Sequence, residues 1–232
     1  MERNLVKLNS PSLRSQAGLF SEYKYDVKSV EYLEHVKRTD VVNIFDLCST
    51  RATERIFYKT SRVDISLLFW YSFKSICTRK EFDITIKHKA FPSAGGRHSI
   101  DVLYITHHNN RWNCFLYDDC AHALCLLDIN NRQILNFIHK ISSVLDPQFG
   151  DIIWFVSQDL KLSSKYENAE SLIWRDAGVA LGHLAFVAEA IGLNFCPLGI
   201  TGDNEIRELL CIPESLSPVG GCIVGRKGPY EK

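Results

Sequence analysis

The stretch 177–188 constrains this chain more than any other. It runs for twelve residues with no aspartate, glutamate, lysine or arginine. A helix that spans a bilayer needs roughly 20 such residues. This run is too short to be buried in lipid, so it must be buried in protein. Its alanines and glycines permit a neighbouring backbone to approach closely. We read 168–192 as one long core helix that ends at Gly192. Covering it requires a core of normal size, and 232 residues with 46% hydrophobic and 23% charged content supply one.

The remaining pattern is mixed. Residues 1–25 read as an irregular lead-in. Val27, Val30, Leu33 and Val36 recur at helical spacing and suggest an amphipathic helix. The segment 41–48 fits strand or helix equally. The segment 61–76 predicts a helix capped by Ser61 or Asp64, with Ile65, Leu68, Trp70, Phe73 and Ile76 on its apolar face. Strands are expected over 100–106 and 112–117, around a His-His-Asn-Asn-Arg turn, and over 123–127, 151–157 and 219–224. Helices are expected over 133–145 and 203–210. Strands and helices do not alternate strictly, so the expected class is α+β.

The chain carries 27 basic and 27 acidic residues, a net charge of zero. That argues against broad electrostatic binding to nucleic acid or anionic membrane, and leaves room for a local phosphate pocket. No secretory leader is visible in 1–10, so a soluble cytoplasmic protein is expected. The eight cysteines form no CxxC pair and mostly have apolar neighbours. Free buried thiols fit them better than structural zinc, and the histidines offer no convincing metal-ligand set.

Four short motifs could carry chemistry. Arg51-Ala-Thr53-Glu-Arg55 places two planar guanidiniums four residues apart, a spacing that suits phosphate. On spacing alone a solvated helix end explains them more simply. Pro92-Ser93-Ala94-Gly95-Gly96 is a turn whose glycines would allow close approach to a ligand. It is neither a Walker loop nor a dinucleotide fingerprint. Lys165-Tyr166 could supply a base and an orienting hydroxyl, or could be surface loop. Gly192-Leu-Asn-Phe-Cys-Pro-Leu198-Gly199 reads as a helix end running into a turn, and Gly225-Arg226-Lys227 is a second cationic group.

In this order along the chain, the motifs resemble the flavin-dependent nitroreductase superfamily over roughly 47–227. Within it they are similar to the azoline dehydrogenases of thiazole/oxazole-modified peptide biosynthesis, the Lys-Tyr pair being the part that selects the subfamily. The resemblance implies a nitroreductase-like mixed sheet flanked by helices. It implies FMN, bound at the interface of a homodimer. Residues 1–40 would be an N-terminal extension and 41–232 the FMN-binding domain. Arg51, Thr53, Arg55 and Arg226 would hold the phosphate and ribityl chain. Ser93, Ala94 and Gly95 would approach the isoalloxazine, with Leu198 and Gly199 beside the ring. Lys165 and Tyr166 would be catalytic. The chain departs from the subfamily after Tyr166, where Glu167-Asn-Ala-Glu-Ser171 replaces an arginine- and glycine-rich stretch. It departs again at Gly182-His183, where a Gln-Asn pair is usual.

Three functions follow. The first is oxidation of thiazoline or oxazoline rings to azoles in a modified precursor peptide, with a cyclodehydratase complex as a candidate partner. That chemistry needs Lys165 to act in its neutral form, which burial or nearby positive charge would favour. The second is reduction of nitro compounds, quinones or enones by NAD(P)H through the same FMN site. The third is a non-catalytic flavin-binding scaffold within a peptide-modifying complex.

Overall fold

The computed structural model describes residues 8–35, 37, 41–81 and 84–228. In chain order the elements are β1 (Ser12–Leu13), β2 (Val27–Tyr32), α1 (Ile44–Thr50), α2 (Arg62–Phe73), β3 (Cys77–Glu81) and β4 (Ile84–His88). A short 3-10 turn follows at Ala94–Gly96. Then come β5 (Ile100–His108), β6 (Arg111–Asp118), β7 (Ala123–Leu127), α3 (Asn131–Ser142), β8 (Asp151–Gln158), α4 (Asp159–Ser163) and β9 (Tyr166–Glu167). The chain closes with α5 (Glu170–Ala190), β10 (Leu193–Pro197), α6 (Asp203–Leu210) and β11 (Leu216–Arg226).

Seven strands form one sheet in the order β10-β11-β8-β5-β6-β7-β2. Every pairing in it is antiparallel, and helices flank it as expected. The class is α+β, as the irregular alternation of elements predicts. Central strands bury both faces. On β8, Ile153 and Phe155 join the core beneath α2 and α5, while Ile152, Trp154 and Val156 join the core beneath α3 and α6. That is why 151–158 reads as a continuous apolar run: helices cover both sides of the sheet.

Local chemistry explains most elements. Ser61 and Asp64 form a reciprocal capping box at the start of α2, and Ile65, Leu68, Phe69 and Phe73 turn inward. Asn109 and Asn110 both take left-handed backbone, which closes the β5–β6 hairpin in the way asparagine tolerates. In α3 the buried side chains are Ile134, Phe137, Ile138 and Ile141, as expected. The undecided segment 41–48 begins α1, capped by Asn43.

Two expectations fail. Residues 27–32 are the edge strand β2 rather than a helix, and Val36 lies outside the described residues. Val27, Val30 and Tyr32 suit a pleated strand, and the pairing of β2 with β7 overrides a three-residue spacing that was too short to prove a helix. The β3–β4 hairpin, absent from the sequence reading, occupies the stretch after α2, and Ile76 falls outside that helix. Ahead of residue 41, β2 extends the main sheet and β1 pairs with β9. No helix among the described residues is long and apolar enough to cross a membrane.

Candidate functional site

The motif residues gather in two clusters. The first lies where 51–58 runs beside β10 and β11. Arg51 ends α1, its amide donating to the Leu47 carbonyl at 2.9 Å. The Glu54 amide donates to the Phe195 carbonyl at 3.1 Å, and Asn194 Nδ2 donates to the Ile56 carbonyl at 2.7 Å. Tyr58 and Arg226 exchange two backbone hydrogen bonds, 3.2 and 2.8 Å. These bonds carry Arg51, Thr53 and Arg55 alongside β10 towards Arg226. Thr53 and Arg55 are exposed and Arg51 half-buried. Arg226 Nε lies 3.5 Å from Asp64. Burial raises the Cys196 thiol pKa, and the charge of Arg55 opposes that rise. The Leu198 amide donates to the Gly221 carbonyl at 2.9 Å, while its side chain is buried in the core on the α3/α6 side. A ligand at this turn would meet exposed Gly199 and Leu198 backbone, not the leucine side chain.

The second cluster unites the PSAGG loop with the Lys-Tyr pair, although 70 positions separate Gly95 from Lys165. Gly95 has φ +59°, and a Cβ built there would come within 2.6 Å of Tyr166 Oη and 2.7 Å of Lys165 Nζ. Only a residue without a Cβ lets both side chains reach the loop. Lys165 Nζ points at the Gly95 carbonyl from 3.5 Å and lies 5.7 Å from the centre of the Tyr166 ring. The position of the pair comes from α4, which follows β8, and from β9, whose Tyr166 pairs with Leu13 of β1.

A residue the sequence reading missed holds this loop in shape. Asp176, near the start of α5, accepts a hydrogen bond from Ser93 Oγ at 2.5 Å. It also accepts from the Ala94 amide at 3.0 and 3.2 Å. Ser93 Oγ in turn accepts from the His98 amide at 2.8 Å. Burial raises the Asp176 pKa, and the bonds from Ser93 and Ala94 oppose the rise. The Ser93 hydroxyl is therefore engaged inside the protein, and the loop presents mainly backbone outward. The one available hint was position: Asp176 is the carboxylate that borders the uncharged run, and a charge there needs a partner.

The two clusters sit at opposite ends of the sheet. Ile100 and Leu216 pair with the Ser157–Gln158 end of β8, next to the PSAGG loop and α4. Val224 pairs with Asp151 at the other end, two residues before Arg226. The seven steps from Asp151 to Gln158, at ~3.4 Å each, separate them by roughly 24 Å.

The profile of the nitroreductase family matches residues 85–226, more than half of the chain. Among curated proteins, FMN reductase [NAD(P)H] of Bacillus subtilis (strain 168) is 40% identical over 52 residues. That match spans 22% of this chain and only 21% of the relative's length. Among solved structures, a nitroreductase homologue of Ralstonia eutropha JMP134 superposes with a TM-score of 0.67 at 17% identity, covering 93% of this chain and 99% of its own. A chain of the E. coli microcin synthetase McbBCD complex, with truncated pro-MccB17 bound, gives 0.58 at 18% identity, covering 84% and 78%. At such identities the superpositions speak for the fold alone. With the fold and the family profile in agreement, this chain belongs to the nitroreductase family.

Proposed function

We propose that the protein is an FMN-dependent dehydrogenase that oxidises thiazoline or oxazoline rings to azoles in a ribosomally made peptide. The observation that carries this reading is the meeting of Lys165 and Tyr166 with Gly95 of the PSAGG loop. An oxidase of this kind needs a base beside the flavin, and a simple reductase does not. The fold likeness to a chain of a microcin synthetase complex supports the same reading, and with it a partner in a peptide-modifying assembly.

The residues present suit FMN. Arg51, Arg55 and Arg226 offer guanidiniums for the phosphate, and Thr53 a hydroxyl for the ribityl chain. Gly199 is exposed, and a Cβ built on it would meet nothing within 4 Å, so that turn leaves room for a planar ring. Ala94 and Gly95 supply backbone at the other end of the sheet, where Ser93 shapes the loop. When bound, FMN supplies a hydride acceptor. Lys165 Nζ takes the proton from the ring carbon beside the carbonyl, and the adjacent CH₂ gives up the hydride. The Gly95 carbonyl and the Tyr166 ring hold the lysine in place, and Tyr166 Oη orients the azoline. Asp176 keeps the loop rigid while this happens.

Because the clusters lie about 24 Å apart along the sheet, one chain does not close one site. We infer a homodimer in which each flavin takes its arginines from one chain and its PSAGG loop and Lys-Tyr pair from the other. Surface chemistry supports it. Phe45 on α1 and Trp174 on α5 are exposed, and a Cβ on Gly178 or Gly182 of α5 would meet nothing within 4 Å. Small residues on an open helix face suit a second chain's backbone.

The test combines cofactor and turnover. Purified protein should be yellow and release FMN on denaturation. With a thiazoline-bearing peptide it should remove two daltons per ring. A colourless protein that does not take up added FMN refutes the cofactor. The 52-residue similarity to an FMN reductase favours a second reading, an NAD(P)H-dependent reductase. Rapid bleaching of the flavin by NAD(P)H, with no azoline oxidation, would select it.

A further inference from the structure

Behind the PSAGG loop, on the side away from Lys165 and Tyr166, a cavity of about 640 Å³ opens against the β3–β4 hairpin. The two glycines of the loop face different neighbours. Gly95 abuts the Lys-Tyr pair, whereas a Cβ on Gly96 would meet Ile86 of β4 at 3.6 Å. Lys87 on β4 and Lys89 just beyond it line the cavity. Two residues apart in extended chain, they project to the same side. Both reach Asp119, at 2.7 and 2.5 Å, and Arg79 lines the same cavity. The Lys89 side chain is almost wholly buried. Among the described residues, the lining contains no carboxylate.

His98 forms another wall. It is 7% exposed, and its Nδ1 has no hydrogen-bond partner. Its backbone is left-handed at φ +44°, an unusual conformation for a histidine. The ring is held edge-on against Phe91, 5.3 Å between centres. A buried polar atom without a partner is uncommon and calls for an explanation, as does a strained backbone. Here both occur in one residue, in a cavity lined by Lys87 and Lys89 that borders the proposed reaction site.

We propose that this cavity is a subsite for a carboxylate of the peptide substrate, bound by Lys87 and Lys89 with His98 Nδ1 completing its hydrogen bonds. Three basic side chains and no carboxylate among the described lining residues suit a carboxylate ligand. The carboxylate belongs to an Asp or Glu side chain or to the peptide C-terminus, and it anchors the chain across the loop from the ring being oxidised. The peptide part of this inference rests on the function proposed above; the carboxylate part stands on the cavity alone.

The test begins without a peptide. FMN-loaded protein carrying ¹⁵N-labelled histidine is titrated with benzoate and, separately, with benzamide, which has the same shape and no charge. Benzoate should move the His98 ring resonance saturably, and benzamide should bind at least tenfold more weakly. Lys87→Gln, which leaves the Lys89–Asp119 pair in place, should weaken benzoate tenfold to a hundredfold, the loss expected for one charge-assisted hydrogen bond. Should that variant fold poorly, His98→Asn gives a second arm, since asparagine tolerates left-handed backbone. Equal binding of the two probes, an unmoved His98, or unchanged benzoate affinity in the folded variants overturns the subsite. Thiazoline peptides then identify the source: free C-terminus, C-terminal amide, and amide with an internal aspartate. Tighter binding of an acidic form supports the proposal. If benzoate binds and no peptide does, the peptide assignment and the azoline reading fall together, while the carboxylate subsite remains.

Discussion

Replacing Gly95 with alanine should separate the function of the loop from its stability. Gly95 sits at φ +59°, and Gly96, its neighbour, at φ +67°. An alanine at either position pays a left-handed backbone penalty of about 1–2 kcal/mol. For a chain of this size that lowers the melting temperature by roughly 2–8 °C. The two variants differ in what the new methyl group meets. At Gly96 it finds Ile86 at 3.6 Å, an ordinary contact. At Gly95 it finds Tyr166 Oη at 2.6 Å and Lys165 Nζ at 2.7 Å. Both are the ends of side chains that can swing aside, so the fold survives. Restoring normal separation displaces each by roughly 1 Å, and a misplacement of that size at a reacting group costs on the order of 10²-fold in rate. We therefore expect Gly95→Ala and Gly96→Ala to melt together, while azoline turnover falls about a hundredfold in the first and little in the second. FMN content, read from the absorbance of the purified proteins, should match. Equal activity in both variants would show that the Lys-Tyr pair takes no part in turnover, whatever its place beside the loop.

Other outcomes follow from the same geometry. Arg51→Ala should weaken FMN binding by one to two decades, the loss of a charge-assisted bond worth ~1.5–3 kcal/mol; an unchanged Kd by flavin fluorescence removes Arg51 from the phosphate site. Lys165→Ala should cost 10²–10⁴-fold in turnover and Tyr166→Phe less, with the flavin spectrum intact in both; full activity of the lysine variant sinks the base assignment. Light scattering at micromolar concentration should show a dimer, and an FMN-loaded monomer would contradict the shared site. Burial, followed by the charge of Lys89 for His98 and of Lys74 for His122, holds both imidazoles down to about 4 against an ordinary 6.5. The unfolded chain thus gains protons below pH 6.5 that the folded chain refuses. This contribution costs nothing above that pH, and as pH falls from 6.5 to 4 it removes up to about 3 kcal/mol per ring. Ring resonances of either histidine that titrate above pH 6 would refute it.

The parts of the fold that were legible in the sequence are those whose information is local. The Ser61–Asp64 capping box, the Asn109-Asn110 turn and the 134-137-138-141 face of α3 each carry their cause within a few residues. β2 reads as a helix because an edge strand with exposed side chains shows no alternation, and four apolar residues at spacing three imitate a helix. What makes it a strand is β7, which pairs with it from nearly a hundred residues away. The β3–β4 hairpin is hidden for a similar reason. Its sequences, CTRKE and ITIKH, are too polar to announce a sheet. Lys87 and Lys89 tie it down by reaching Asp119, and no pattern within the hairpin predicts that contact.

The site divides in the same way. Order along the chain identified the arginine motif, the PSAGG loop, the Lys-Tyr pair and the 192–199 turn, and each occupies a loop or strand end where a ligand could reach it. Order could not reveal Asp176, whose partners lie 82 and 83 positions earlier. Nor could it show how the motifs divide in space. Lys165 joins Gly95 because β5 and β8 are antiparallel neighbours, so the loop entering one and the loop leaving the other meet at the same end. Arg226 joins Tyr58 at the far end because β11 runs the full length of β8 before it stops. The same pairing that assembles each cluster keeps the two apart, with roughly 24 Å of strand between them. A sheet rigid enough to position a base against a glycine cannot also bend to bring its own arginines to that base. In the proposed homodimer a second chain joins the clusters, and the open Gly178–Gly182 face of α5 leaves room for it.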